Sequence, residues 1–170
     1  MPTKPVANVS VDCYMDDISG LIAELRDPLI KKRKSAAAHL GKSASPSAIS
    51  PLIGALSDPH SGVRIEVIKA LGKLDDSAAV PGLIVSLDDK DMAVREAAIA
   101  AIGKIKDRDA VLPLIRCLHD KGISIRIGAA EVLGRLGDRR AIEPLKKLEN
   151  DHFSDVREAA ESAIRKLRAR

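Results

Sequence analysis

The chain has 170 residues, of which 45% are hydrophobic and 31% are charged, and its formal net charge is +4. This balance argues against disorder, and no apolar run reaches the length that would span a membrane. With one Tyr, one Phe and no Trp, the core must be built from Leu, Ile, Val and Ala.

The N-terminal sequence MPTKPVANVSVDCYMDD lacks the basic region and the apolar stretch of a secretory signal. We therefore expect a cytoplasmic protein. In a reducing compartment the two cysteines, Cys13 and Cys117, are expected to be free thiols and not a disulfide.

The sequence repeats itself every 31 residues. Two columns are unbroken, an aspartate and an arginine six residues after it: Asp27, Asp58, Asp89, Asp120 and Asp151, with Arg33, Arg64, Arg95, Arg126 and Arg157. A glycine column has the same period: Gly41, Gly72, Gly103 and Gly134. A fixed period of about 20 to 50 residues is typical of stacked repeats, each of which buries its apolar face against its neighbours. The period thus predicts a solenoid.

In chain order, we expect a flexible tail at residues 1–16, which contain two prolines and no apolar periodicity. Residues 17–26 match the second half of a repeat, since Ile18 lies 31 residues before Ile49. Four full repeats follow: 27–57, 58–88, 89–119 and 120–150. Residues 151–170 match the first half of a repeat. We expect the repeats at the two ends to cap the stack.

Each repeat contains two stretches with helical apolar spacing. The second repeat shows both: Val63, Val67, Ile68 and Leu71 and, after a break, Val80, Leu83, Ile84 and Leu87. Glycine adopts the left-handed conformation without steric cost, so Gly72 and its counterparts are predicted to end the first helix. Pro81 and its counterparts are predicted to lie near the first turn of the second helix. The expected fold is an all-α solenoid of short two-helix repeats, with about ten helices.

The stretch VREAAIAAIGKIKDRDAVLPLIRCL, within residues 89–118, resembles the HEAT-like repeats named after the phycobilisome lyases. The resemblance covers nearly all of residues 17–170. It implies that the Asp and Arg columns are structural and form a ladder of ion pairs between neighbouring repeats, such as Asp58 with Arg64. The alternative is an anion site made of the five arginines, which is weaker because each arginine has an aspartate to neutralise it.

The family includes pigment lyases, a di-iron hydroxylase and adaptor proteins, so the resemblance predicts a fold and not an activity. Its hydroxylases carry a His-Glu pair after the Val-Arg of several repeats, where this sequence has Ile65-Glu66. The histidines are scattered over the repeat: His39, His60, His119 and His152. A Cys117–His119 nucleophile pair would point in two directions on a helix. We therefore predict a non-catalytic protein without metal or cofactor.

Two dense basic stretches, residues 31–34 and 165–170, lie at opposite ends of the chain. Aromatic residues for stacking on bases are nearly absent, which argues against RNA and single-stranded DNA. Weak contact of these basic stretches with the phosphates of duplex DNA is an alternative that the sequence leaves open. We expect the basic stretches to be solvated faces of the end helices, and nucleic acid is not the expected partner.

The second helices line the concave face in this family, and concave solenoid faces are the usual binding surface. Residues outside the core give two rows on this face: Ser19, Ser50, Pro81, Leu112 and Glu143, and then Ala23, Gly54, Val85, Arg116 and Lys147. A third row is Glu24, Ala55, Ser86 and Cys117. The middle of the face is small and apolar and its C-terminal end is charged, as suits an extended peptide or a partner helix.

We therefore predict a monomeric protein-interaction scaffold or adaptor. Its expected contacts with a protein or peptide are Ser50, Gly54, Pro81, Val85, Leu112, Arg116 and Lys147. The second interpretation is an accessory subunit or chaperone-like component of a bilin lyase or another modifying enzyme. The third is a duplex-DNA-binding solenoid.

Overall fold

The computed structural model describes residues 12–169, with side chains from Ile18 onward. The described residues form ten α-helices. They are α1 Asp12–Glu24, α2 Ile30–Leu40, α3 Ile49–Ala55, α4 Ser61–Leu74, α5 Val80–Ser86, α6 Met92–Ile105, α7 Val111–Cys117, α8 Ile123–Leu136, α9 Ile142–Lys146 and α10 Ser154–Arg168. Short 3₁₀ turns precede α3, α5, α7 and α9, and another follows α9. The predicted all-α solenoid is confirmed.

The helices form two layers. The first helices of successive repeats (α2, α4, α6, α8 and α10) pack side by side. The second helices (α1, α3, α5, α7 and α9) form the other layer, and each packs against the first helix that follows it in the chain. Pro81 is the second residue of α5, within the first turn as predicted. No helix in the described part of the chain combines the length and apolar character needed to cross a membrane.

One continuous core runs through all repeats and consists of Leu, Ile, Val and Ala, with the buried Cys117. A column at the repeat period illustrates it: Leu40, Leu71, Ile102, Leu133 and Ile164 are all buried. Burying a Leu or Ile side chain stabilises a protein by about 1.5 to 3 kcal/mol. Because each repeat covers its neighbour's apolar residues, this stabilisation exists only in the stack.

Three of the four column glycines do not end a first helix, so that prediction is wrong for them. Helix α2 does end at Leu40, with Gly41 at its C-cap in a right-handed conformation. Gly72, Gly103 and Gly134 lie inside α4, α6 and α8. Left-handed conformations occur three residues later, at Asp75, Lys106 and Gly137. A Cβ added at Gly134 would lie 2.9 Å from Ala163 Cα. The glycines are therefore sites of close approach between neighbouring first helices, which sequence periodicity could not distinguish from helix ends.

Helix α1 begins before the helix predicted at residues 17–26. It runs over Asp12–Glu24, so residues 12–16 of the predicted tail are helical, and residues 1–11 lie outside the described residues. Residues 12–19 contain neither proline nor glycine. The helix can therefore extend toward the N-terminus beyond the residues that show apolar periodicity.

Candidate functional site

Five loops of the same design precede the first helices. In each loop the aspartate of the column accepts a hydrogen bond from the main-chain N–H two residues later, at 2.7 to 3.0 Å. This side-chain turn fixes the entry of the chain into the helix and turns the carboxylate toward the preceding repeat.

The arginines join each loop to the loop of the next repeat. Arg64 shows the arrangement best: Nη1 donates to the main-chain oxygen of Asp58 at 2.9 Å, while Nε and Nη2 donate to the carboxylate of Asp89 at 2.8 Å. Equivalent ion pairs are Arg33–Asp58, Arg95–Asp120 and Arg126–Asp151. The implied pair of Asp58 with Arg64 is thus corrected. That aspartate carboxylate faces the preceding repeat, and its own arginine reaches only its main-chain oxygen.

Two positions in the ladder depart from the common geometry. Arg95 Nε lies 3.0 Å from Asp120 Oδ2, but it has no hydrogen bond of acceptable angle among the described residues. Arg157 keeps the main-chain contact, with Nη1 2.7 Å from Asp151 O. It has no carboxylate partner within the described part of the chain, because no further loop follows there.

The ladder holds its aspartates ionised. Burial alone would raise the pKa of Asp58, but hydrogen bonds from Arg33 and the His60 amide outweigh it, and the pKa lies below its usual value. Asp89 and Asp120 behave in the same way, and in Asp151 the hydrogen bond from Arg126 has the largest effect. Since four of the arginines are neutralised by paired carboxylates, the geometry favours the structural interpretation over an anion site.

The second helices, and for Lys147 the 3₁₀ turn after α9, present the predicted contact residues at the surface. All seven predicted contact residues are exposed: Ser50, Gly54, Pro81, Val85, Leu112, Arg116 and Lys147. The third row is different, because Ser86 and Cys117 are buried and Ala55 is half-buried. The surface prediction is wrong for Ser86 and Cys117, whereas Glu24 of the same row is exposed. Each residue of the third row follows a residue of the second row. Because successive side chains of an α-helix differ in direction by about 100°, the third row points toward the first-helix layer.

The middle of this face is apolar. Val85 on α5 is 74% exposed and Leu112 on α7 is 59% exposed. Beside them, Arg116 lies 3.6 Å from Asp88, and both side chains are well exposed, so the ion pair is weak and the guanidinium stays accessible. These side chains form a mixed patch, Val85, Leu112 and Arg116, which we call the central patch.

A groove of about 650 Å³ opens on the same side of the molecule between α1 and α3. We call it the α1–α3 groove. Its lining includes Ile22, Leu25, Arg26, Ser50, Gly54 and Ser57. Ser50 and Gly54 were predicted from the sequence as contact residues. Arg26 and Ser57 were not, although they share one position of the repeat, one helical turn after the second row.

Among the described residues, no metal-binding cluster is present and the Cys117 thiol is not activated. No group of three or more His, Cys, Asp or Glu side chains from residue 18 onward is placed to hold a metal ion. Burial raises the pKa of the Cys117 thiol to about 11, so the thiolate that a nucleophile requires is disfavoured. His119 is exposed, while Cys117 points into the core. The Cys117–His119 alternative therefore finds no support in the geometry.

Paired helices, apolar columns and the Asp–Arg ladder define a helical-repeat solenoid protein. The sequence model of HEAT repeats matches residues 18–92 and 80–165. Because these matches span most of the chain, the protein belongs to the HEAT-repeat family. Among curated proteins, no sequence match was found.

Three solved structures show the range of similar proteins. The complex of CpcE and CpcF of phycocyanin lyase from Nostoc sp. PCC7120 is 28% identical, with a TM-score of 0.77, over 100% of this chain and 69% of that chain. A designed armadillo repeat protein in complex with the peptide (KR)4 is 21% identical, with a TM-score of 0.70, over 89% of this chain and 82% of that chain. Human deoxyhypusine hydroxylase is 15% identical, with a TM-score of 0.53, over 94% of this chain and 98% of that chain.

Proposed function

We propose that the protein is a non-catalytic interaction scaffold that binds a segment of a partner protein on its second-helix face. The observation that supports this function is the central patch, where Val85 and Leu112 expose most of their apolar surface beside Arg116. Apolar contacts give affinity, and a neighbouring charge sets the register of the bound segment. Lys147 and the α1–α3 groove extend the same face in opposite directions.

Two of the similar structures agree with this proposal. The designed armadillo repeat protein holds a peptide, and CpcE is in complex with CpcF. Both structures contain a stacked-helix protein together with a polypeptide partner. We further propose that this protein acts as a monomer in the cytoplasm, where its thiol at Cys117 stays reduced.

The test is affinity capture with the original protein and three variants, Val85→Glu, Met92→Glu and Arg116→Glu, followed by quantitative mass spectrometry. Val85→Glu places a charge in the central patch. Met92→Glu is the matched control, because Met92 is also an exposed apolar residue, 48% exposed, but lies at the start of α6. Both changes are expected to alter the free energy of unfolding by less than about 0.5 kcal/mol.

We expect a partner that is captured by the original protein and by Met92→Glu and lost with Val85→Glu. Arg116→Glu should also weaken its capture. If the Val85→Glu variant retains every protein that the Met92→Glu variant retains, the second-helix face is not the binding surface.

A second candidate function follows from the 28% identity to the phycocyanin lyase complex over the whole chain. Here the protein would assist a bilin lyase or another modifying enzyme as an accessory subunit. Its test is to mix the purified protein with a linear tetrapyrrole and record the visible absorption spectrum. A saturable spectral change supports the accessory role. An unchanged spectrum argues against pigment binding and favours the scaffold function.

A further inference from the structure

The α1–α3 groove is open because its second-helix position carries glycine. An added Cβ at Gly54 would meet no atom within 4 Å. In the following repeats the same position carries Val85, Arg116 and Lys147, whose side chains occupy this part of the surface. Ser50 and Ser57, one turn before and after Gly54, are also small and exposed.

Neither the backbone nor the packing requires this glycine. Gly54 lies inside α3, and its φ angle is not in the left-handed region. In contrast, Gly134 is in contact range of a neighbouring helix, since its added Cβ would lie 2.9 Å from Ala163 Cα. Glycine is less favourable than alanine inside a helix. What Gly54 provides in this position is open space above α3.

The lining of the groove indicates what it would bind. Its lining includes the apolar residues Ile22, Leu25 and Ala55, which belong to the core or pack against it. Most charged groups in the lining are already paired: Arg33 with Asp58 and Lys32 with Asp27. Arg26 is exposed at the rim, and no ion-pair partner for it occurs among the described residues. An apolar group with a carboxylate next to it would satisfy both parts of the groove.

We propose that the α1–α3 groove anchors the partner polypeptide by accepting one large apolar side chain, with a neighbouring Asp or Glu of the partner on Arg26. This inference rests on the proposed scaffold function and adds a chemical class of partner to it. A peptide lying along the second-helix face passes over the groove, because Ser50 and Gly54 belong both to that face and to the groove lining.

The experiment is a selection from a random library of twelve-residue peptides, displayed on phage, against the intact protein. Individual selected peptides are then labelled and their affinities measured by fluorescence anisotropy. Gly54→Leu places a large side chain at the groove, and its Cβ meets no atom within 4 Å. Gly20→Leu is the matched control, since Gly20 is also exposed, lies in α1 and has no atom within 4 Å of an added Cβ, yet it does not line the groove.

We expect selected peptides to contain a large apolar residue next to Asp or Glu. Gly54→Leu should weaken their binding by about tenfold or more, and Gly20→Leu by less than about twofold. Arg26→Gln should weaken binding of the acidic peptides severalfold and leave peptides with Gln in place of the acid unchanged. These three results together support the proposal.

Other results separate the two proposals. If Val85→Glu abolishes binding of the peptides and Gly54→Leu does not, the scaffold function stands and the groove is not an anchor. If no peptide is enriched, or if Gly20→Leu weakens binding as much as Gly54→Leu, the groove proposal is overturned. Enrichment of basic peptides would overturn the assigned chemistry.

Discussion

At the scale of single residues, the Asp–Arg ladder is the most regular feature of the molecule. One guanidinium joins two neighbouring loops, because it donates to a main-chain oxygen of its own loop and to both carboxylate oxygens of the next aspartate. Side chains in the Arg64–Asp89 pair are only 7% and 14% exposed. A buried carboxylate that loses its partner keeps the cost of burial without the compensating interaction.

We expect Arg64→Ala to lower the free energy of unfolding by about 3 kcal/mol, because it leaves the Asp89 carboxylate without its ion pair. Arg157→Ala is the control, since Arg157 makes the main-chain contact but has no carboxylate partner among the described residues. Its cost should be about 1 kcal/mol. Denaturant unfolding followed by circular dichroism measures both. Equal costs for the two substitutions would show that the ion pair contributes nothing.

The ladder also predicts how stability depends on pH. The pKa values of Asp58, Asp89, Asp120 and Asp151 are lowered in the folded protein. A carboxyl with a lowered native pKa stabilises the fold above its unfolded pKa of about 3.9, and this stabilisation is lost as the pH falls toward the native value.

We therefore expect the denaturant midpoint to be constant near neutral pH and to fall below about pH 4. In Arg64→Ala the fall should be smaller, because Asp89 has lost the hydrogen bonds that lowered its pKa. A midpoint that does not change between about pH 5 and pH 2.5, or an identical fall in both proteins, would contradict this account.

At the scale of helices, the inter-helix distance is set by glycine and alanine. Gly134 of α8 faces Ala163 of α10, and Gly72 of α4 faces Ala101 of α6, where an added Cβ would lie 3.0 Å from the alanine Cβ. Glycine meets alanine between three of the four neighbouring pairs of first helices, whereas Gly103 of α6 faces Val132 and Arg135 of α8. The larger Leu and Ile side chains fill the core between the layers.

Two Gly→Ala substitutions should change the free energy of unfolding in opposite directions. Gly134→Ala forces α8 and α10 apart and is expected to destabilise the protein by about 1 to 3 kcal/mol. Gly54→Ala meets no neighbouring atom and should stabilise it by about 0.5 to 1 kcal/mol, since alanine is the better helix former. Thermal and denaturant unfolding of the two variants measure the difference. If both substitutions change the free energy of unfolding in the same direction, the role assigned to the glycine column is refuted.

At the scale of the whole molecule, α10 closes the C-terminal end of the described stack. It buries Val156, Ala160 and Ile164 against the preceding repeat, and Glu161 and Arg165 are exposed. Glu161 replaces the apolar side chains that earlier repeats carry at this position, such as Ile99, and Arg165 replaces the glycine of the column. A polar outer face is the property that keeps a terminal repeat from associating with other molecules.

Removal of residues 151–170 should therefore expose the apolar side of the fourth repeat, including Leu145 and Leu148. We expect the shortened protein to self-associate, because stacked repeats with an uncovered apolar end bury it against other molecules. Light scattering after size-exclusion chromatography measures the mass. A shortened protein that is as monomeric and as soluble as the full chain would show that α10 is not needed as a cap.

Much of the architecture was determined by the sequence alone. The 31-residue period and the apolar spacing fixed the two-helix repeat, the number of helices and the columns of buried residues, because in a stack every repeat meets the same surroundings. The exposed rows that contain Val85 and Leu112 were predicted in the same way, since the core positions of a helix leave the opposite positions to solvent.

Only the tertiary structure decided which groups meet across repeats. A period places Asp58 and Arg64 in one repeat, but the distance between an arginine and the next loop depends on the stacking of the helices, and the partner is Asp89. Likewise, the sequence places Gly134 in a periodic column and Gly54 outside it, but it does not show what surrounds either glycine. One opens a groove and the other contacts a neighbouring helix, because the difference lies in atoms that are far away along the chain.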